Sequence, residues 1–151
     1  MLAAIGWALA IDIDLGSIRQ GVKSFAGLPH RCQWVDRKNA VDFYNDSKGT
    51  NVGATVAAID GLGQRISGKI ILIAGGIAKG ADFSGLRPIV NRWCKEVILI
   101  GVDAIELGSS LGEDVKKYYA ASMSDAVSTA YSHASRGDVV LLSPACASFD
   151  M

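Results

Sequence analysis

Three runs of consecutive apolar residues recur along the chain from residue 69 onwards. They read KIILIA at 69–74, EVILI at 96–100 and DVVLL at 138–142, and branched aliphatic side chains dominate them. A strand that is covered on both faces has this pattern, because neither face meets water and no alternation of polar and apolar residues is required. The runs therefore predict a parallel sheet with helices on both faces.

Segments with a helical pattern alternate with these runs. We predict helices at 52–62, 86–94, 103–107 and 124–134, and a weaker strand at 118–121. Alternation of strand and helix is typical of a Rossmann-like α/β domain, in which each helix returns the chain to a parallel neighbouring strand.

The first part of the chain has a different pattern. Two short helices are predicted at 2–11 and 16–26, and Pro29 prevents the second from continuing. Two strands are predicted at 31–35 and 40–44, with a polar turn at 36–39. We therefore expect a mostly parallel sheet with an antiparallel strand pair at its start.

The sequence ends at Met151, nine residues after the last predicted strand residue. A doubly wound domain usually adds a closing helix at that point. We therefore expect the closing helix to be absent, and residues 27–151 to form a single truncated domain.

Composition and charge exclude several classes of protein. The chain has 151 residues, enough for one domain with its own core. Its 15 basic and 15 acidic residues cancel and are scattered, so no basic surface favours nucleic acid as a partner. Asp12 and Asp14 interrupt the apolar N-terminal run well short of the ~20 residues that a membrane-spanning helix needs.

The three cysteines, Cys32, Cys94 and Cys146, are far apart and odd in number. None has the spacing of a metal-ligand pair, so we expect reduced thiols in a cytoplasmic protein. Zinc binding would require His30 or His133 to converge with two cysteines in space.

Three polar loops follow predicted strands, and in open parallel sheets ligands bind at that edge. Their sequences are NDSKGTN at 45–51, GGIAKGADF at 75–83 and SPACASFD at 143–150. In the first, Thr50 or Asn51 is placed to cap the next helix, whose free N–H groups favour an anion. Lys48 and Lys79 add positive charge. Each loop taken alone is also compatible with an ordinary turn; in the second loop, Asp82 would then cap a helix.

Nucleotide-binding motifs are missing from the sequence. It contains no G-x-x-x-x-G-K-[ST] phosphate loop, and Ile66 occupies the position of the third glycine after Gly61-Leu62-Gly63. Cys146 is a possible nucleophile, although neither histidine lies on a strand end that would meet it.

Four segments together resemble a known family. The segments GLPHR at 27–31, NDSKGTN at 45–51, GGIAKGADF at 75–83 and LLSPACASFD at 141–150 match, in order and spacing, the C-terminal domain of the D-glutamate-adding Mur ligases of peptidoglycan synthesis. Residues 1–26 are similar to the last helices of that family's central, ATP-binding domain. The family's sequences continue beyond SPACASFD into a helix that adds an aromatic contact.

The resemblance implies a separate role for each of the site residues. Thr50 and Ser148 would hydrogen-bond the carboxylates of D-glutamate, Lys79 would pair with its side-chain carboxylate, and Phe149 would contribute mainly backbone. Arg31, Asp46 and Lys48 would face ATP. In the family, ATP phosphorylates the carboxylate of UDP-MurNAc-L-Ala with Mg²⁺ present, and the amine of D-glutamate attacks the acyl phosphate. The chain alone is expected to have no activity.

The sequence is also compatible with two other functions. One is a related Mur or folylpolyglutamate-type ligase domain that takes a different amino acid, because these ligases share one architecture. The other is a non-enzymatic, Rossmann-like module that binds a small molecule tightly by itself.

Overall fold

The computed structural model describes residues 2–147, which form six helices and six strands. The helices are α1 Leu2–Ala10, α2 Leu15–Ser24, α3 Val52–Gly63, α4 Leu86–Trp93, α5 Ala104–Ser110 and α6 Met123–His133. The strands are β1 Gln33–Lys38, β2 Val41–Asn45, β3 Ile70–Gly75, β4 Cys94–Ile100, β5 Lys117–Tyr119 and β6 Val139–Ala145.

All six strands form one sheet in the order β1-β2-β6-β3-β4-β5. Strand β1 is antiparallel to β2, and every other neighbouring pair is parallel. The last strand, β6, lies between β2 and β3. The segments that follow these three parallel strands therefore leave the sheet at the same edge, and the predicted Rossmann-like architecture is confirmed.

Two apolar cores cover the two faces of the sheet. Helices α3, α4 and α5 pack on one face, against side chains that include Leu72 and Leu141. Helix α6 packs on the other face, against side chains that include Ile73 and Val140. Successive residues of one strand thus enter different cores, which explains why the central strands are apolar throughout.

The predicted boundaries of the strand pair were wrong. The structure places β1 at Gln33–Lys38, and the turn consists of Asn39 and Ala40, with φ of 51° and 62°. Positive φ at both central residues is the requirement of a two-residue hairpin turn of type I′. Every residue of β1 is exposed, so no apolar periodicity marked this edge strand in the sequence.

Helices α1 and α2 contain no buried residue. Several large apolar side chains on and between them are exposed, including Trp7 at 73% and Ile11 at 65%. Among residues 2–147, no helix combines the length and apolarity needed to cross a membrane. The assignment of residues 1–26 to a separate domain stays a prediction.

Candidate functional site

A cleft of about 350 Å³ opens beyond the carboxyl ends of β2, β3 and β6. It is lined by residues of all three predicted loops: Thr50, Asn51, Val52, Gly53, Ile77, Ala78, Lys79, Ala81, Asp82, Ala145, Cys146 and Ala147. Thr50 and Lys79, which lie far apart in the sequence, therefore share one cleft. Ser148 and Phe149 lie outside the described residues, but Ala147, directly before them, lines the same cleft.

The first loop places Thr50 at the start of α3. Asn51 is the N-cap, and its side-chain oxygen accepts a hydrogen bond of 2.9 Å from the backbone N–H of Ala54. Thr50 is therefore not the cap, and it is exposed at the cleft beside the first turn of the helix. The positive end of the helix dipole favours negative charge at this point.

A buried hydrogen-bond network fixes this loop to the sheet. The hydroxyl of Ser143, fully buried on β6, donates to Asp46 Oδ2 at 2.7 Å and lies 2.9 Å from the hydroxyl of Thr55 on α3. Asp46 Oδ1 accepts from the backbone N–H of Cys32 at 3.0 Å. A Cβ on Gly49 would collide with Asp46 Oδ2 and would lie 2.7 Å from the Ser143 hydroxyl. The loop thus needs glycine at position 49.

The second loop follows β3 in an unusual backbone conformation. Gly75 and Gly76 have φ of 132° and 130°, and Lys79 has φ of 52°. Left-handed backbone costs a residue with a side chain roughly 1–2 kcal/mol, and it persists only where the surroundings fix it. A Cβ on Gly75 would collide with the carbonyl oxygen of Ile100, and one on Gly76 with that of Ala147. These glycines therefore allow the loop to pass close to both neighbours.

Neighbouring segments hold the second loop on both sides. Ile77 and Ala147 exchange backbone hydrogen bonds of 2.8 and 3.2 Å, which join the second loop to the third. On the other side, Asp103 follows β4 and accepts a hydrogen bond of 2.7 Å from the backbone N–H of Ala78. The alternative that Asp82 caps α4 is wrong, because its carboxylate accepts from Ser84 and the N-cap is Gly85. That hydrogen bond lowers the pKa of the Asp82 carboxyl.

Two of the three residues assigned to the ATP side, Arg31 and Asp46, lie on the opposite flank of the first loop. Arg31 and Asp46 line a second cleft of about 690 Å³, which runs along α3 and also contains Arg65. Lys48 is not among the described residues that line the two clefts. Its backbone N–H donates to the carbonyl of His30, next to Arg31. Asp46 is only 7% exposed, and protein donors occupy both carboxylate oxygens. Its contact with ATP stays a prediction.

The cysteines and the acidic residues form no metal site in the described part of the chain. No group of three His, Cys, Asp or Glu residues within 2–147 is arranged to hold a metal ion. The three cysteines are free thiols. The side chain of Cys146 is buried. At a different position, burial raises the pKa of the Cys94 thiol to about 12. Burial disfavours Cys146 as a nucleophile, since a nucleophilic thiol must be accessible to its substrate.

Sequence reasoning did not predict the contacts of three residues that shape the site. Ser143 and Thr55 lie within segments that were interpreted as a loop and a helix, and nothing in the pattern marks their contact. Asp103 had a usable signal, because it lies just beyond the apolar run EVILI and therefore at the carboxyl edge of the sheet.

The chain matches known proteins along almost its entire length. A family model described as "Mur ligase, glutamate ligase domain" matches residues 30–146. The chain is 53% identical to the UDP-N-acetylmuramoylalanine--D-glutamate ligase of Coxiella burnetii and 49% identical to that of Pseudomonas syringae, over 150 residues in each case. Each match covers 99% of this chain and 34% of the relative. The chain thus spans about a third of the length of the curated relatives it matches.

Two solved structures share the fold. The UDP-N-acetylmuramate-alanine ligase of Thermotoga maritima superposes with a TM-score of 0.72 at 15% identity, covering 97% of this chain and 33% of that one. A bifunctional folylpolyglutamate synthase/dihydrofolate synthase from Yersinia pestis, complexed with AMPPNP and Mn ion, has a TM-score of 0.68 at 25% identity, covering 90% of this chain and 32% of that one.

Proposed function

The chain belongs to the Mur ligase family, and from that premise we propose that it is the C-terminal, amino-acid-binding domain of a UDP-N-acetylmuramoylalanine--D-glutamate ligase. One observation carries the proposal: Thr50 and Lys79 share the cleft that the three loops form. The relatives that match at 53% and 49% identity carry the name of this ligase.

The cleft has the chemistry that a doubly negative amino acid requires. Lys79 supplies a full positive charge, which pairs with the side-chain carboxylate of D-glutamate. The hydroxyl of Thr50 and the first turn of α3 supply donors for a carboxylate. The proposal assigns a second hydroxyl to Ser148, which lies outside the described residues. It assigns a backbone contact to Phe149, which also lies outside them. Contacts to charged groups typically contribute ~1.5–3 kcal/mol each.

In the proposed reaction, ATP supplies a phosphoryl group that activates the precursor carboxylate of UDP-MurNAc-L-Ala as an acyl phosphate. The amine nitrogen of D-glutamate then attacks the acyl carbon, a C–N bond forms, phosphate leaves and the amine loses a proton. This chain binds the D-glutamate and orients its amine. Arg31 and Lys48 supply positive charge suited to a polyphosphate, and Asp46 holds the loop between the two clefts.

We infer that this chain supplies only part of the ATP and Mg²⁺ contacts. The sequence lacks a phosphate loop, and residues 2–147 contain no group arranged to hold a metal ion. We therefore assign the main nucleotide and metal contacts to the remaining two thirds of the ligase. The isolated chain is expected to be inactive and to bind D-glutamate weakly. A cytoplasmic location follows from the same proposal.

A hybrid protein tests the assignment. This chain replaces the matching 150 residues of the Coxiella burnetii relative, and phosphate release is measured as a function of D-glutamate concentration. We expect D-glutamate-dependent activity, and we expect Lys79→Ala to raise the KM for D-glutamate roughly 10- to 100-fold. Lys116→Ala is the matched control, because Lys116 is also exposed but precedes β5, at the opposite edge of the sheet.

Two results would count against the proposal. An active hybrid that prefers L-lysine, meso-diaminopimelate or L-glutamate would indicate a different amino-acid ligase, such as the folylpolyglutamate type. Tight binding of a small molecule by the isolated chain, without activity in the hybrid, would instead support a non-enzymatic module.

A further inference from the structure

Asp103 contacts the loop that carries Lys79 at two points. Its carboxylate oxygen Oδ2 accepts a hydrogen bond of 2.7 Å from the backbone N–H of Ala78, the residue directly before Lys79. Its own backbone N–H donates to the carbonyl of Gly76 at 3.0 Å. One residue thus holds both ends of the segment that precedes Lys79.

The carboxylate of Asp103 does not have the local role that its position suggests. Asp103 occupies the N-cap position of α5, where aspartate usually accepts a hydrogen bond from the first turn of its own helix. Here it makes no such capping bond. Its Oδ2 binds the neighbouring loop instead, 25 residues away in the sequence. The carboxylate of Asp103 therefore accepts from the N–H of Ala78 and not from an N–H of its own helix.

The contact acts on a segment whose conformation requires support. Lys79 has a φ of 52°, and Gly80, directly after it, has a φ of 73°. On one side, the third loop binds Ile77 through Ala147. Asp103 supplies the contact on the other side, and a hydrogen bond to a charged acceptor is stronger than one between neutral groups.

We propose that Asp103 is a positioning residue for the amino-acid site: its carboxylate holds the backbone at Ala78 so that Lys79 keeps its left-handed conformation and directs its ammonium group into the cleft. The proposal rests on the proposed function, because it gives Lys79 its partner in D-glutamate. Asp103 itself lies outside the cleft lining and binds no substrate.

Three variants test the proposal in the hybrid protein. Asp103→Ala removes the acceptor and is expected to raise the KM for D-glutamate about 10-fold, with kcat changed much less. Asp103→Asn retains an oxygen acceptor and is expected to recover most of that loss. Asp125→Ala is the matched control, because Asp125 also accepts a loop N–H, from Ala121 at 3.0 Å, at the start of α6. It should leave the KM unchanged.

A second measurement on the chain itself does not depend on ligase activity. Amide hydrogen exchange at Ala78 is expected to become about 10-fold faster in Asp103→Ala, and to remain unchanged in Asp125→Ala. In the Lys79→Ala background, the further change Asp103→Ala should add little to the KM, because both act through the same ammonium group.

The outcomes separate the two proposals. Faster exchange at Ala78 together with a higher KM supports the role of Asp103. If Lys79→Ala raises the KM but Asp103→Ala leaves it unchanged, or if Asp103→Asn fails as badly as Asp103→Ala, the positioning role is overturned while the proposed function stands. If Lys79→Ala has no effect, the amino-acid site is misassigned and both proposals fail.

Discussion

The buried contact between Ser143 and Asp46 gives a prediction about stability. The change Ser143→Ala removes a single oxygen atom, so it creates almost no cavity. It also removes the donor to Asp46 Oδ2, at 2.7 Å, and the partner of Thr55 Oγ1, at 2.9 Å. Because Ser143 has one hydroxyl hydrogen and gives it to Asp46, Thr55 is the donor in the second bond.

The magnitude depends on what the two remaining groups can contact. Asp46 is 7% exposed and Thr55 is fully buried, so water reaches neither side chain easily. Thr55 can turn to the carbonyl of Gly49, at 3.4 Å, which recovers part of its bond. Leaving a buried polar group unsatisfied costs about 1–3 kcal/mol, and more for a charged one. We therefore expect Ser143→Ala to lower the free energy of unfolding by about 2–3 kcal/mol.

Urea denaturation of the chain measures this change. The transition midpoint should fall while its slope stays constant, because the surface exposed on unfolding does not change. Ser132→Ala is the matched control: Ser132 is exposed on α6, and its hydroxyl donates only to the carbonyl of Thr129 in the same helix. Its effect should stay within about 0.5 kcal/mol. A loss below about 0.5 kcal/mol for Ser143→Ala would refute the reasoning, since a buried carboxylate oxygen that loses its donor should cost more than this.

Two further predictions concern backbone conformation and thiol chemistry. Gly76→Ala should destabilise the chain by more than ~2 kcal/mol in thermal denaturation, because of its positive φ and the collision with Ala147. Gly61→Ala, in open space on α3, should instead stabilise it by up to ~1 kcal/mol, and equal effects would contradict the conformational explanation. Burial raises the pKa of the Cys94 thiol from 9.0 to about 12 in the folded state. The contribution of this thiol to the free energy of unfolding is therefore complete below pH 9, and it declines as the pH rises towards 12, because the unfolded chain loses the proton first. The difference in unfolding free energy between the native chain and Cys94→Ala should therefore shrink from about pH 8 to about pH 10.5, and a constant difference would contradict the raised pKa.

The central strands were predictable because burial leaves a local signal. Residues 70–74 are apolar at every position and enter two different cores in alternation. The edge strand β1 had no such signal, since water covers both of its faces. Its polar residues Asp36 and Arg37 were therefore assigned to a turn, while the actual turn depends on the positive φ of Asn39 and Ala40.

The candidate site was predictable as a set of loops, and its internal contacts were not. The resemblance and the strand ends together identified Thr50 and Lys79, which the structure places in one cleft. The contact of Asp46 with Ser143 joins residues 97 positions apart, and that of Ala78 with Asp103 joins residues 25 apart. Such contacts depend on which strands are neighbours, and the apolar pattern does not contain that information.

The class of fold, the number of buried strands and the edge of the sheet that carries the candidate site were readable from local patterns, because hydrophobic burial and turn chemistry act over a few neighbouring residues. The position of β6 between β2 and β3 is visible only in the folded chain. That insertion brings Ser143 to Asp46 and Ala147 to Ile77. Strand order is set by the packing of the whole chain, so the hydrogen bonds that shape the cleft exist only once the sheet is complete.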